Sequence, residues 1–275
     1  MTRVAYLGPA GTFTEEAARR FGIEGAQYLP VESPTAALAA LDAGEAEYAV
    51  CAIENSIDGA VTTTMDALAA TDSARIVGET ELAIAFAVMT RQGHKLDDAL
   101  RLATHPVAHQ QVKRWIAENV PKAEFIPAPS NAAAAKMVAD GAADVAVAPE
   151  RAAELHGLEV HARGVADAET ARTRFVLVAK QAASPQPTGN DRTAIVFRTK
   201  NEPGALVRVL QEFAARGVDM TRIESRPTRE EPNTYDFFVD LAGHASDAAV
   251  AAALEAGAEH TTEMRPLGTW PREGR

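Results

Sequence analysis

An internal repeat constrains the fold of this chain more than any other feature of its sequence. Residues 33–50 align without gaps on residues 130–147, and seven of the 18 aligned positions are identical. In both copies a serine is followed by a helix-like stretch, by a glycine 11 residues after the serine, and by an apolar, strand-like stretch. Serine favours the position before a helix, and glycine favours the position after its end. The repeat therefore predicts two similar α/β lobes.

Strand-like and helix-like stretches alternate through the first 180 residues around this repeat. Arg3–Leu7, Tyr48–Ile53 and Leu82–Met89 are apolar enough to be buried strands. Thr12 and Glu15 have the spacing of a capping box, which predicts the start of a helix. Such alternation is typical of βαβ units and largely parallel sheets. We expect a small ligand in the cleft between the lobes, because clefts of this kind are common binding places.

Residues 182–190 have the alanine-, proline- and serine-rich composition of a linker, and the pattern changes beyond them. The C-terminal residues predict a strand at Thr193–Arg198, a helix ended by Gly217, two strands, a helix over Ser246–Ala256 ended by Gly257, and a short terminal strand. The order βαββαβ is that of a ferredoxin-like module, of a plausible size for an independent domain.

The charge balance and the single cysteine exclude several classes of protein. The formal net charge is −11, so we expect no binding to nucleic acid or to an anionic membrane. Cys51 is the only cysteine, which rules out an internal disulfide and favours a reducing compartment. The longest apolar run is too short to span a bilayer, and the N-terminus lacks the apolar stretch of a signal peptide. We therefore expect a cytoplasmic protein.

Three polar segments are candidates for binding a ligand, and each has a plainer interpretation. Gly8–Thr12 precedes a helix whose free N–H groups suit a carboxylate, but it also suits a simple turn. Residues 54–56 follow a buried strand, where open α/β sheets bind ligands, but a polar turn fits them as well. Residues 172–175 place a hydroxyl between two arginines, which suits a carboxylate clamp or ordinary surface charge. The nucleotide fingerprints are absent from the sequence, so we expect neither NAD nor ATP.

The histidines and the cysteine do not predict a metal site or a nucleophile. His105 and His109 have the spacing of a zinc pair, but no glutamate lies between them in the required place, and no third ligand is evident. Cys51 lies inside an apolar stretch, and we interpret it as a small core residue.

Six segments together resemble the monofunctional bacterial prephenate dehydratases over essentially the full length of the chain. They are GPAGTFTEEA at Gly8–Ala17, AIENSIDGAV at Ala52–Val61, THPVAHQQV at Thr104–Val112, TRF at Thr173–Phe175, GALVRVL at Gly204–Leu210 and ESRP at Glu224–Pro227. The first four resemble the family's catalytic domain, which has two lobes like a type II periplasmic binding protein. The last two resemble its ACT regulatory domain. The resemblance implies a catalytic domain over 1–181, with lobes at about 1–78 plus a C-terminal return and at about 79–165, a linker at 182–190 and an ACT domain over 191–275.

The family converts prephenate into phenylpyruvate, water and carbon dioxide, and the resemblance implies the same reaction here. Loss of the ring hydroxyl and the ring carboxylate makes the ring aromatic, so we expect no cofactor and no metal. By resemblance, Thr173 is the main catalytic hydroxyl and Arg174 is a carboxylate clamp. The other implied residues are Glu54, Asn55, Ser56, Gln111 and Thr104 in catalysis, and Thr12, Thr14 and Phe175 in substrate binding. Ala171 stands where the family often has asparagine, so that contribution must come from elsewhere.

The resemblance also implies allosteric control by phenylalanine in the C-terminal domain. The implied effector residues are Gly204, Ala205, Leu206, Glu224, Ser225, Arg226 and Pro227. The family forms this site between two subunits, which implies a homodimer or homotetramer. Two alternatives stay open: an arogenate dehydratase, with the same chemistry on the transaminated substrate, and a non-catalytic, amino-acid-responsive ligand sensor. A prephenate dehydrogenase is disfavoured by the missing dinucleotide fingerprint.

Overall fold

A computed structural model describes residues 1–167, 171–180 and 184–273 of the chain. Its strands form two sheets, one of ten strands and one of five. The strands are β1 Arg3–Leu7, β2 Gln27–Val31, β3 Tyr48–Asn55, β4 Gly59–Ala60, β5 Ala74–Ala83, β6 Ala87–Thr90, β7 Arg101–Thr104, β8 Glu124–Pro127, β9 Val145–Ala148, β10 Glu159–Arg163, β11 Arg172–Lys180, β12 Asp191–Arg198, β13 Met220–Pro227, β14 Tyr235–Ala242 and β15 Glu263–Pro271. The helices are α1 Phe13–Arg20, α2 Pro34–Asp42, α3 Thr62–Ala69, α4 Pro106–Gln111, α5 Lys113–Asn119, α6 Asn131–Ala139, α7 Glu150–His156, α8 Ala205–Ala215 and α9 Ala248–Ala258, with a short 3₁₀ helix at Leu96–Asp98.

The internal repeat folds as two copies of one helix–turn–strand unit, which confirms the prediction. Ser33 caps α2 and Ser130 caps α6, and each serine Oγ accepts a hydrogen bond of 3.0 Å from the backbone N–H three residues later. Gly44 and Gly141 follow the helices with φ of 70° and 80°, a conformation that glycine adopts without steric cost. The chain then enters β3 in one sheet and β9 in the other.

Lobe one consists of β1–β5, β11 and α1–α3. Its strands run in the order β5-β11-β3-β1-β2, and β1 pairs in parallel with both β2 and β3. β11 returns from much later in the chain and inserts antiparallel between β3 and β5. The sheet is therefore mixed rather than largely parallel.

Lobe two consists of β6–β10 and α4–α7, with the strand order β10-β6-β9-β7-β8. The prediction of one strand over Leu82–Met89 is wrong, because β5 ends at Ala83 and β6 begins at Ala87. The apolar run crosses from one sheet to the other, and both of its ends are apolar since each is buried in a different core. The sheet of lobe one therefore extends past the predicted lobe boundary near residue 78.

The C-terminal module, residues 184–273, has the predicted order βαββαβ from β12 to β15. Its strands lie in the order β13-β14-β12-β15 and are antiparallel, with α8 and α9 packed on one face. The prediction that Gly257 ends α9 is wrong, because the helix continues to Ala258. A Cβ at Gly257 would lie 3.4–3.7 Å from side chains of α8 and β15, which is ordinary van der Waals contact.

Lobe one and the C-terminal module share a hydrophobic core. Val196, Phe238 and Trp270, on the face of the module opposite its helices, belong to the same buried cluster as Leu38 in α2 and Met65 in α3. β15 also pairs in parallel with β5 at a single point, which joins the two sets of strands into the ten-stranded sheet. The module therefore packs directly against lobe one.

The predicted linker at 182–190 lies partly outside the described residues, since only its residues 184–190 are described. The carboxylate of Asp191 accepts hydrogen bonds from the N–H groups of Thr188 at 2.8 Å and Gly189 at 3.0 Å. The ring Nε2 of His244 lies 2.9 Å from the backbone oxygen of Pro185. The described part of the segment is thus tied to the C-terminal module, and the domain boundaries remain predictions.

Replacing Gly268 by alanine is expected to destabilise the protein strongly. A Cβ at this position would lie 2.1 Å from the backbone oxygen of Ile76, at the point where β15 pairs with β5. We expect the free energy of unfolding, measured by chemical denaturation, to fall by about 3 kcal/mol or more. Gly157→Ala is the control: its φ is +64°, and its Cβ position has open space around it within the described structure. It should cost only about 1 kcal/mol of left-handed backbone strain. Equal losses would contradict the steric explanation.

Candidate active site

A cleft of about 700 Å³ lies between the two lobes. Lobe one contributes the ends of β1 and β2 and the start of α1, and lobe two contributes His105, Ser130 and Asn131. The N-terminal ends of α1 and α6 therefore meet this cleft from opposite lobes. A helix N-terminus carries partial positive charge and unpaired N–H groups, so two such ends suit a ligand with two anionic groups.

The start of α1 holds both predicted threonines on the wall of the cleft. Thr12 Oγ1 accepts a hydrogen bond from the Glu15 N–H at 3.3 Å and donates one to the backbone oxygen of Leu7 at 3.2 Å. The Thr12 cap therefore forms as the capping-box spacing predicts. Glu15 is buried, and its carboxylate accepts hydrogen bonds from the Gly11 N–H at 2.5 Å and from Arg19 Nη2 at 2.7 Å. Thr14 is nearly buried beside it and lines the cleft.

Thr173 and Asn55 form the most clearly oriented pair of predicted catalytic residues. They lie opposite each other on β11 and β3, and Asn55 Nδ2 donates a hydrogen bond of 2.9 Å to Thr173 Oγ1. The orientation of the amide is fixed, because Asn55 Oδ1 accepts from the N–H groups of Ile57 at 2.9 Å and Asp58 at 3.0 Å. The Thr173 oxygen thus acts as an acceptor toward Asn55, and its own proton can be donated to another group.

Ser56 fixes the chain where β3 ends and β11 begins. Its N–H donates to the backbone oxygen of Arg172 at 2.8 Å, and its Oγ accepts from the Arg172 N–H at 2.9 Å. The parallel strands β1, β2 and β3 all end at this edge of the sheet, where β11 starts. Thr173, Asn55 and Ser56 therefore lie at the same end of the strands as the start of α1, but none of the three is among the residues that line the cleft.

Arg174 and Glu54 face the opposite side of the sheet from Thr173 and Asn55. They are cross-strand neighbours, and Arg174 Nη2 lies 3.0 Å from Glu54 Oε2. The same guanidinium contacts Glu79 at 3.3 Å and Asp240 of β14 at 2.7 Å. The guanidinium of Arg174, which the sequence predicts to bind a substrate carboxylate, is thus already paired with three carboxylates of the protein. In this structure Arg174 points toward the C-terminal module.

Electrostatics hold this arginine and its main partner in their charged forms. Burial lowers the pKa of the Arg174 guanidinium, but Asp240, Glu79 and Glu54 more than offset that effect and raise it above its usual value. Burial raises the pKa of the Asp240 carboxyl, but Arg222, Arg174 and Arg192 outweigh burial and hold it well below its usual range. Both groups therefore stay ionised across the range in which proteins are stable.

Phe175 lies within the core of lobe one, although the sequence predicts it as a substrate-binding residue. Its side chain is 2% exposed and belongs to the buried cluster that includes Tyr6, Ala17 and Leu82. Phe175 packs α1 against β11. It therefore supports the strand that carries Thr173 and does not line the site itself.

Thr104 and Gln111 lie in lobe two, and neither lines the cleft. Thr104 is fully buried, and its Oγ1 donates to the backbone oxygen of Val147 at 2.8 Å and lies 3.2 Å from Asn131 Oδ1. It thereby holds Asn131 at the start of α6. Gln111 ends α4, and its backbone oxygen accepts from the Asp167 N–H at 2.6 Å.

Asn131 and His105 line the cleft but are absent from the predicted site. Asn131 accepts a hydrogen bond of 3.1 Å from the His105 N–H, and both residues line the lobe-two wall. The alignment of Ser130 with Ser33 is the signal that could have found Asn131, because it places this residue in the first turn of α6. His105 lies in the segment Thr104–Val112 that resembles the family's catalytic domain, and that resemblance is the signal that could have found it.

A second cavity, of about 440 Å³, lies in the C-terminal module. The predicted effector residues Ala205 and Leu206 line it, together with Asn233, Tyr235 and Phe237. Gly204 begins α8 beside it with a φ of +78°. The other four predicted residues, Glu224, Ser225, Arg226 and Pro227, lie on β13, the edge strand paired with β14. Arg226 binds the carboxylate of Asp66 in α3 through two bonds of 2.8 and 2.9 Å.

The described residues contain no cluster of three or more acidic, histidine or cysteine side chains that could hold a metal ion. His109 stacks on Phe125 with ring centroids 4.0 Å apart, so it packs within lobe two. No helix in the described part of the chain has both the length and the apolar character to cross a membrane.

The fold and the cleft define a class: two-lobed α/β proteins like type II periplasmic binding proteins, here joined to a ferredoxin-like module. The family model for prephenate dehydratase matches residues 4–183, and the model for the ACT domain matches residues 193–256. The chain belongs to the prephenate dehydratase family.

Named relatives match nearly the whole chain. A prephenate dehydratase of Corynebacterium glutamicum is 53% identical over 98% of this chain and 88% of its own length. The crystal structure of prephenate dehydratase in complex with L-Phe from Arthrobacter aurescens superposes with a TM-score of 0.91 at 38% identity, over 98% of this chain and 90% of that one. A structure described as GqqA, a novel type of quorum quenching acylase, has a TM-score of 0.90 at 34% identity and covers 98% of both chains.

Cys51 is expected to be unreactive in the folded protein. It is buried in β3, and burial raises the pKa of its thiol to about 12. At pH 8 only about one molecule in 10⁴ would then carry the reactive thiolate. Ellman's reagent at pH 8 should modify the native protein at least about a thousandfold more slowly than glutathione and should react fully in guanidinium chloride. Rapid modification in native buffer would show that the β3 environment opens or that Cys51 is accessible.

Proposed function

We propose that this chain converts prephenate into phenylpyruvate, water and carbon dioxide in the cleft between the two lobes, under allosteric control by phenylalanine. The observation that carries the proposal is the Asn55–Thr173 pair at the edge of the cleft-bearing sheet, in a chain of this family. The amide orients the threonine oxygen and leaves its proton for donation.

The chemistry of prephenate fits the arrangement of the cleft. The substrate carries two carboxylates and a ring hydroxyl, and the N-termini of α1 and α6 face the cleft from opposite lobes. Binding a dianion between these two ends positions it by charge and by backbone N–H groups. Aromatisation drives the reaction once the hydroxyl and the ring carboxylate begin to leave together.

Thr173 acts on the departing hydroxyl as a hydrogen-bond donor. A threonine has too high a pKa to give up its proton outright, so the hydroxyl stabilises negative charge on the leaving oxygen as the C–O bond breaks. The oxygen leaves as hydroxide and becomes water by taking a proton from the solvent. Donors fixed in advance toward developing charge are among the largest contributors to catalysis. The Asn55 amide supplies that preorganisation, since its two accepted hydrogen bonds prevent it from turning away.

We assign Glu54 and Arg174 supporting roles in this proposal. They lie on the sheet face opposite Thr173, and Arg174 is engaged by carboxylates. The substrate carboxylates are therefore bound by the helix ends and by Thr12 and Thr14, rather than by an arginine clamp. Thr104 and Gln111 belong to the supports of lobe two.

The effector site proposed here is the cavity at the start of α8, completed by a second subunit. β13 is an edge strand with the exposed residue Ile223, and it carries the predicted segment Glu224–Pro227. A second copy placed along this edge would bring these residues of one subunit to the α8 cavity of the other, so the active form is at least a dimer. The relative from Arthrobacter aurescens binds L-Phe.

Turnover of prephenate by wild-type protein and by Thr173→Ala tests the catalytic proposal. Phenylpyruvate formation is followed by ultraviolet absorbance at mildly alkaline pH, because prephenate aromatises unaided in acid. We expect kcat to fall roughly 10²–10⁴-fold in Thr173→Ala, with most activity kept in Thr173→Ser, which retains the hydroxyl. Asn55→Ala should lower kcat less than Thr173→Ala, because it removes only the orienting bond.

Near-normal turnover in Thr173→Ala would remove this residue from its role. Turnover of arogenate but not of prephenate would reassign the substrate. No turnover of either compound would favour the alternative of a non-catalytic ligand sensor. The relative described as a quorum quenching acylase makes acylase activity the next one to assay on the same preparations.

Gly204→Ala is expected to weaken the phenylalanine response while leaving catalysis intact. The residue begins α8 at a φ of +78° beside the effector cavity, where alanine would distort the backbone that faces the ligand. We expect the phenylalanine concentration for half-maximal effect to rise about tenfold or more, with kcat unchanged. Gly217→Ala is the matched control, since its φ of +67° imposes similar strain at the other end of the same helix. An equal change in both variants would point to general destabilisation.

A further inference from the structure

A cluster of six charged side chains crosses the junction between lobe one and the C-terminal module. This junction cluster consists of Glu54, Glu79 and Arg174 from lobe one and Arg192, Arg222 and Asp240 from the module. It contains three positive and three negative groups, so it is neutral as a whole. Except for Glu54, its side chains are at most 12% exposed. Neither the catalytic nor the effector site uses it directly.

Asp240 is the centre of the junction cluster. Its side chain is 1% exposed and receives hydrogen bonds from three arginines on three different strands. Arg174 Nη2 lies 2.7 Å from Oδ2, Arg192 Nη1 lies 3.2 Å from the same oxygen, and Arg222 spans both oxygens with two bonds of 3.0 Å. A guanidinium displaced from this carboxylate would lose its partner within a buried site, which is unfavourable.

On the lobe-one side, the cluster ends next to the catalytic pair. Arg174 adjoins Thr173 in β11, and its partner Glu54 adjoins Asn55 in β3. The two ion-paired residues and the two hydrogen-bonded residues are successive cross-strand pairs. A displacement of the Arg174 guanidinium therefore acts on the strand register that sets the 2.9 Å bond between Asn55 and Thr173.

On the module side, the cluster ends next to the effector cavity. Tyr235 and Phe237 line that cavity and lie on β14, the strand that carries Asp240. Arg222 lies on β13, two residues before the segment Glu224–Pro227. Ligand contacts on either strand are thus connected to the Asp240 carboxylate through a few residues of regular, hydrogen-bonded sheet.

We propose that Asp240 is the positioning residue that couples the effector module to catalysis, by holding Arg174 of the Thr173 strand and Arg222 of the effector strand on one buried carboxylate. This inference rests on the proposed dehydratase function and its control by phenylalanine. A shift of β13 and β14 on effector binding redistributes the arginines on Asp240. Arg174 transmits the shift to the Asn55–Thr173 pair.

A second ion bridge between the same two bodies provides a control. Asp66 of α3 binds Arg226 of β13 through two bonds and lies within 3.5 Å of Arg229. It joins lobe one to the module as Asp240 does, but the arginines that its carboxylate binds, Arg226 and Arg229, lie on neither β11 nor β3. If the junction acted only as adhesion, the two bridges would be interchangeable.

The test is Arg222→Met, compared with Asp66→Asn and wild type. Methionine keeps much of the length of the arginine, and Asp240 retains Arg174 and Arg192, so the variant should fold. We expect its basal turnover to stay within about threefold of wild type. The factor by which a substrate analogue changes phenylalanine affinity, measured by calorimetry, should fall about fivefold or more toward one, as should the effect of phenylalanine on turnover. Arg222→Lys, which keeps the charge, should restore part of both.

Hydrogen exchange of β3 and β11 gives a readout that does not depend on turnover. In wild type and in Asp66→Asn, phenylalanine should change the exchange rates of peptides that contain Asn55 and Thr173, and in Arg222→Met this change should disappear while phenylalanine still binds. An unchanged coupling factor in Arg222→Met, or an equal loss in Asp66→Asn, would overturn the proposal. Absence of prephenate turnover in wild type would instead refute the proposed function. An effector-induced exchange change that depends on Arg222 would still support the coupling route.

Discussion

The alternation of side chains along β11 is the constraint on which the rest of this structure depends. Successive residues of a strand point to opposite faces of its sheet, so Thr173 and Arg174 cannot serve the same surface. Thr173 faces the α1 side with Phe175, and Arg174 faces the C-terminal module. β11 can do this because it inserts between β3 and β5, where both of its faces are covered. A single strand therefore belongs to the catalytic side and to the regulatory side of the molecule.

The shared core gives the proposed regulatory signal a packed connection to β11. The module packs its helix-free face against α2 and α3, and β15 joins β5 at Gly268. Lobe one and the module thus form one packed body, while lobe two has its own sheet and its own alanine-rich core. The cleft is bounded by both lobes, whereas β11 lies entirely within the sheet that joins lobe one to the module.

Local patterns in the sequence were sufficient for the parts of the fold and of the candidate site that depend on local physics. The serine caps, the glycine turns of the repeat, the βαββαβ order and the Thr12 cap follow from residues close together in the chain, and the structure has them. The break inside Leu82–Met89 was missed because two different cores make both halves apolar. The location of Arg174 could not be predicted, because its partner Asp240 is 66 residues away. Phe175 belongs to the segment Thr173–Phe175 but is a core residue. A sequence motif shows which residues are neighbours in the chain and does not show on which face of the sheet each side chain lies.

A buried ion cluster joins lobe one and the module at a large desolvation free energy, so its contribution is not adhesion alone. Desolvating charges offsets much of their attraction, and apolar replacements of similar volume are often as stable or more so. Adhesion between lobe one and the module is already supplied by the shared core around Trp270 and Met65. Apolar contacts tolerate small rotations, but six charges neutralise each other only when every arginine reaches its carboxylate. The cluster therefore specifies one orientation of the module on β11. A change in that orientation is what an effector must produce to act on Thr173 from the far side of the sheet.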